Sequence, residues 1–116
     1  MTAGNQIESP SSEDFSRALQ ELLPIAEHHR QILKAHYTAP NYTATVTELA
    51  ESVGYTSFNA VNLHYGIFVN LIADRLRLSR SFDLIQTFHK PENQSNEHLQ
   101  LILRPEFIKA LDEFHL

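Results

Sequence analysis

The chain has 116 residues, room for one domain with one core, and its 42% apolar fraction suits an ordinary globule. With 14 acidic against 9 basic residues its formal charge is -5, so a nucleic-acid role requires the cations to be gathered on one face. Cysteine is absent, which removes disulfide frameworks, thiolate metal sites and cysteine nucleophiles and fits a reducing cytoplasm.

No apolar run reaches membrane-spanning length, and the first residues lack the basic start and apolar stretch of a secretion signal. A cytoplasmic protein without membrane contact is expected. Residues 1–11 are polar and small and read as a flexible tail, with residues 12–116 as a single domain. Phe15, Ala18, Leu19, Leu22 and Leu23 make one apolar stripe behind Ser11 or Ser12 as cap, with Glu13 and Asp14 in the first turn, which predicts the first helix. Pro24 fits the first position of a second helix, and Ile25, Ala26, His29, Ile32, Leu33, His36 and Tyr37 carry helical spacing to Thr38-Ala39-Pro40. This helix either follows a break or continues the first through a kink. Residues 41–44 read as a loop.

From Thr45 to Leu76 the pattern is a short capped helix, a glycine turn and a long helix, the arrangement of a helix-turn-helix. Thr45 and Glu48 form a capping-box pair, Gly54 stands where a left-handed helix end is wanted, and Thr56 or Ser57 can cap the long helix, about 57–77. Residues 82–89 and 98–103 have strand character and flank a polar stretch containing Pro91, Asn93 and Asn96, which predicts a β-hairpin with Leu99, Leu101 and Leu103 on one face. Arg104-Pro105-Glu106 then opens a short amphipathic helix carrying Phe107, Ile108, Leu111 and Phe114. The expected fold is α+β, mostly α: a winged-helix-like helix-turn-helix domain with a β-hairpin and a short C-terminal helix.

Wheel projection of the long helix gathers Phe58, Val61, Tyr65, Phe68, Val69, Ile72 and Leu76 on a core side. Leu63, Ile67 and Leu71 fall on the other side, which makes them dimer-interface candidates or marks the helix as a central element. Asn59, Asn62, His64 and Gly66 are candidate groove residues, because asparagine can pair with adenine and a glycine admits close approach. Asparagine also fastens loops, and Gly66 would equally admit a crossing helix. Arg75, Arg77 and Arg80, with Lys90 in the hairpin loop, are candidate phosphate contacts, although arginine at a helix C-terminus is favoured by the helix dipole alone.

Seven histidines raise the question of a metal, but His28 and His36 lie two turns apart, roughly 12 Å at about 1.5 Å per residue. Neither a HExxH motif, an EF-hand loop, a P-loop, a GxGxxG nor a GxSxG is present, so no cofactor, metal or catalytic residue is expected.

The run His36-Tyr37, Ala39-Pro40, Thr47-Glu48-Leu49-Ala50, Gly54-Tyr55, Asn62-Leu63 and Tyr65-Gly66, with Leu103-Arg104-Pro105-Glu106 and Ala110-Leu111, resembles a small bacterial domain found alone or ahead of an HNH nuclease domain in restriction-type proteins. The likeness covers roughly Phe15 to Leu116. It implies a specificity module, with any nuclease metal site beyond residue 116 in the larger proteins. The expectation is therefore a non-catalytic DNA target-recognition module of a restriction, defence or regulatory system, its partner double-stranded DNA, modified or not. The rival expectation is an acidic protein-interaction module or DNA-mimicking inhibitor of a defence protein, for which the charge and the second apolar helix face speak.

Overall fold

Ser11 closes a capping box with Asp14 and starts helix α1, Ser12–Glu21, in a computed structural model that describes residues 10–90 and 99–116. The expected tail lies mostly outside the described residues. Helix α2 spans Glu27–Tyr37 and is followed by a single 3-10 turn, Pro40–Tyr42, and strand β1, Thr43–Thr45. Helices α3, Val46–Val53, and α4, Phe58–Leu76, come next, then strands β2, Gln86–His89, and β3, Gln100–Leu103, and helix α5, Pro105–Phe114. The class is α+β and mostly helical, with one antiparallel sheet of three strands in the order β1-β3-β2.

Three boundaries differ from expectation. Pro24 is not the first residue of α2: α1 ends at Glu21, the Leu23–Pro24 bond is cis, and α2 begins at Glu27 behind Ala26. The two helices are separate, because a residue before proline is kept from the helical region. The expected loop 41–44 contains most of β1, where Ala44 faces inward opposite Leu101 while Thr43 pairs with Ile102. The hairpin is shorter than expected, since residues 82–85 form a turn closed by Leu84 N–H donating to the Ser81 carbonyl oxygen at 3.0 Å. Its polar connection, residues 91–98, lies outside the described residues.

The hairpin pairing itself holds, with Gln86 opposite Leu103 and Phe88 opposite Leu101. Leu101 and Leu103 are buried and Leu99 half-buried, so the alternate leucines meet the helices. The core joins α1, α4, α5 and β3: Phe15 packs edge to face on Phe107 with ring centres 5.0 Å apart, and Leu19, Phe68, Ile72 and Leu111 fill the space around them. α4 is buried along Val61, Tyr65, Phe68, Val69, Ile72 and Leu76, as its wheel predicts, with Phe58 half-buried. One side of α4 is left to solvent.

Candidate nucleic-acid interface

The turn between α3 and α4 is built by two local devices. Gly54 adopts φ 83, the left-handed conformation that ends α3, and Tyr55 N–H reaches back to the Ala50 carbonyl oxygen at 2.9 Å. Ser57 Oγ then accepts from Asn59 N–H at 3.1 Å and caps α4. The outcome is a capped start for α4 whose first outward residues, Asn59 and Asn62, are exposed. Behind them along the same side come Leu63, Ile67 and Leu71, which are 61%, 42% and 37% exposed, with Gly66 and Asn70 half-buried beside them.

His64 does not join that side. It turns toward α2, where its ring stacks on His28 with centres 5.1 Å apart and planes 18° apart, and lies 5.8 Å from the ring of Tyr55 and 6.1 Å from that of His29. Tyr55 also contacts His28 Nδ1 through its hydroxyl at 3.2 Å. Burial, aided by the neighbouring His64 and His28, pushes His29 below the usual imidazole value. This cluster ties α2 to α4 and to the turn before it, a role that wheel spacing alone does not reveal. The parallel His28 and His64 rings present faces to one another, and among the described residues no group of three or more His, Cys, Asp or Glu is placed to hold a metal ion.

Of the four candidate phosphate contacts, Arg80 is engaged. Its guanidinium grips Asp74 with Nη2 at 2.8 Å and Nε at 3.1 Å, which lowers the carboxyl and raises the guanidinium from their ordinary values. The fork is possible because Arg77 ends α4 in the left-handed conformation, φ 58, and turns the chain back. Arg75, Arg77 and Lys90 are exposed and make no ion pair among the described residues, although Arg75 is near enough to help lower Asp74. Sequence reasoning did not single out Phe88, one residue from His89 in β2, which is 41% exposed and stacks on Phe82 with planes 11° apart. Phe82 in turn meets Tyr65 edge to face, so this exposed ring is anchored to α4.

A second concavity, an open groove of about 750 Å³, runs between α2, β1 and α3. Glu27, Arg30 and Lys34 of α2 and Glu48 of α3 line it, and Arg30 is already held by Glu27 at 3.1 Å, so its formal charges cancel. It offers no net field to a charged ligand. Among the described residues no helix is long and apolar enough to cross a membrane. Compared with family profiles, with curated proteins and with solved structures, the chain matches none.

Proposed function

We propose that the chain is a winged-helix-like, non-catalytic DNA target-recognition module of a bacterial restriction, defence or regulatory system, working in the cytoplasm. One observation carries the reading: the charges are segregated. α1 and α5, which pack on each other, bear six carboxylates against two cations, whereas the stretch from α4 to the end of β2 bears two carboxylates against three cations. The acidic balance thus lies on α1 and α5, while the C-terminal end of α4 carries Arg75 and Arg77 despite the charge of -5. The succession α2, β1, α3, α4, β2, β3, with β3 central in the sheet, supports the winged-helix-like reading, with α3 and α4 as its helix-turn-helix and β2–β3 as its wing. The resemblance to domains that precede HNH nucleases supports the restriction context.

Duplex binding measured by fluorescence anisotropy against salt tests this. Arg75→Ala, Arg77→Ala and Lys90→Ala should each lower the salt slope by about one, while Asp74→Asn, which frees Arg80 from its carboxylate partner, should steepen it. Absence of binding to any duplex even at low ionic strength would reject the DNA reading. The second reading is then preferred: an acidic protein-interaction module or DNA mimic, or a homodimer, held through the exposed Leu63, Ile67 and Leu71.

A further inference from the structure

Glycine is costly inside a helix because it surrenders the most backbone freedom on folding, and Gly66 stands in the middle of α4. Among the described residues no contact calls for it. Its backbone is not in the left-handed region, and among the described residues no atom lies within 4 Å of a Cβ built at this position. No helix crosses there, so the crossing-helix explanation of this glycine is removed. The bare backbone opens onto the exposed side of α4, between Asn62 and Asn70 one turn away on either hand and beside Leu63 and Ile67.

That side is chemically unusual for so acidic a chain. No charged residue occurs between Glu51 and Asp74, and its most exposed groups are aliphatic side chains and carboxamides. Arg75 and Arg77, neither in an ion pair among the described residues, stand at the C-terminal end of α4, where Asp74 is neutralised by Arg80. An uncharged strip with two arginines at its C-terminal end complements a groove floor whose edge carries phosphates. In the major groove, carboxamides recognise the N6 and N7 edge of adenine, and apolar side chains recognise the C5-methyl of thymine.

We infer that the strip of α4 centred on Gly66 reads A·T pairs in the major groove of duplex DNA. Leu63 and Ile67 lie against thymine methyl groups, Asn62 pairs with a neighbouring adenine, and the groove edge comes closest at the bare backbone of Gly66. This rests on the DNA reading above and adds the base chemistry to it.

The experiment compares three duplex probes: alternating dA–dT, the same sequence with deoxyuridine replacing thymidine, and alternating dG–dC. Deoxyuridine removes only the methyl. The wild-type chain should bind the dA–dT duplex most tightly and lose roughly tenfold with deoxyuridine. Leu63→Ala and Ile67→Ala should erase the difference between thymidine and deoxyuridine. Gly66→Ala should raise the thermal midpoint by roughly 4 °C, as relief of a helix glycine does, yet weaken dA–dT binding at least about tenfold because the new methyl fills the approach. A Gly66→Ala chain that is more stable and binds like wild type, or a wild type indifferent to the thymine methyl, overturns this inference and leaves DNA binding standing. Failure to bind any of the three duplexes overturns the DNA reading itself. A wild-type dimer in sedimentation that Gly66→Ala dissociates would give the strip to a second copy and overturn the inference as well.

Discussion

His36 is the residue on which the helix-to-sheet join depends. It is fully buried, with Nδ1 2.6 Å from the Tyr65 hydroxyl and Nε2 2.8 Å from the Leu101 carbonyl oxygen. A carbonyl oxygen only accepts, so Nε2 carries the hydrogen and donates, and Nδ1 accepts from Tyr65 O–H. The ring is therefore neutral, and it links α2 to α4 and β3 at once. Burial lowers its pKa from 6.5 to about 4, with the backbone hydrogen bond to Leu101 opposing. Burial likewise pushes the Tyr65 phenol up, so neither partner ionises at neutral pH. Because the unfolded chain takes up the proton first, this contribution to stability is complete above about pH 6.5 and is lost as pH falls through about 4. A shift of that size is worth on the order of 3 kcal/mol. Denaturant unfolding across this range should show the loss in the wild type. His36→Gln should be less stable at neutral pH but flatter in its profile, its residual slope coming from His29, which is shifted in the same direction. An equally steep profile in His36→Gln would contradict this account.

At the scale of elements, Thr45 is both the last residue of β1 and the cap of α3. Its Oγ1 accepts from Glu48 N–H at 3.0 Å, and its own N–H donates to Glu48 Oε1 at 2.8 Å. Thr45→Ala takes the acceptor from Glu48 N–H while the backbone N–H at position 45 still donates to Glu48 Oε1, and should cost about 1 kcal/mol, read as a drop in denaturation midpoint without change of slope. An unchanged midpoint would mean that water replaces the cap at no cost. Such devices are legible in the sequence, because Ser11 with Asp14, Thr45 with Glu48, Gly54 and Pro105 act on backbone groups within a few residues of themselves. So are Leu101 and Leu103, whose alternation needs only a period of two. β1 is not legible there, since three residues carry no periodicity and their partner is Thr43 against Ile102, far along the chain. The site divides in the same way. Exposure of Asn59 and Asn62 follows from the turn of one helix, whereas the packing of His64 on His28 depends on what α2 presents, and the Arg80–Asp74 pair depends on the left-handed conformation of Arg77.

For the molecule as a whole, the distribution of its ionisable groups bears on the proposed reading of a non-catalytic module. Cutting a phosphodiester with a metal requires ligands that converge on one ion and lower the pKa of a bound water. Among the described residues His36 is occupied by Tyr65 and Leu101, and His28, His29 and His64 are gathered by ring contacts, two of them stacked face to face. The carboxylates are spread just as unhelpfully: those of α1 and α5 lie on the opposite balance of charge from the α4 strip, and Asp74, the acid nearest that strip along the chain, is held by Arg80. A phosphate brought to Arg75 or Arg77 would meet cations without a water-activating group beside them. We therefore expect the purified chain, incubated in excess over supercoiled or linear duplex with magnesium, manganese or zinc, to leave the DNA intact on a gel, including under salt conditions where anisotropy shows it bound. Cleavage that stays with the chain through purification and is abolished by His64→Gln or Asp74→Asn would overturn the separation of recognition from cutting, and would make the α2–α4 histidine cluster or the α4 terminus a nuclease centre.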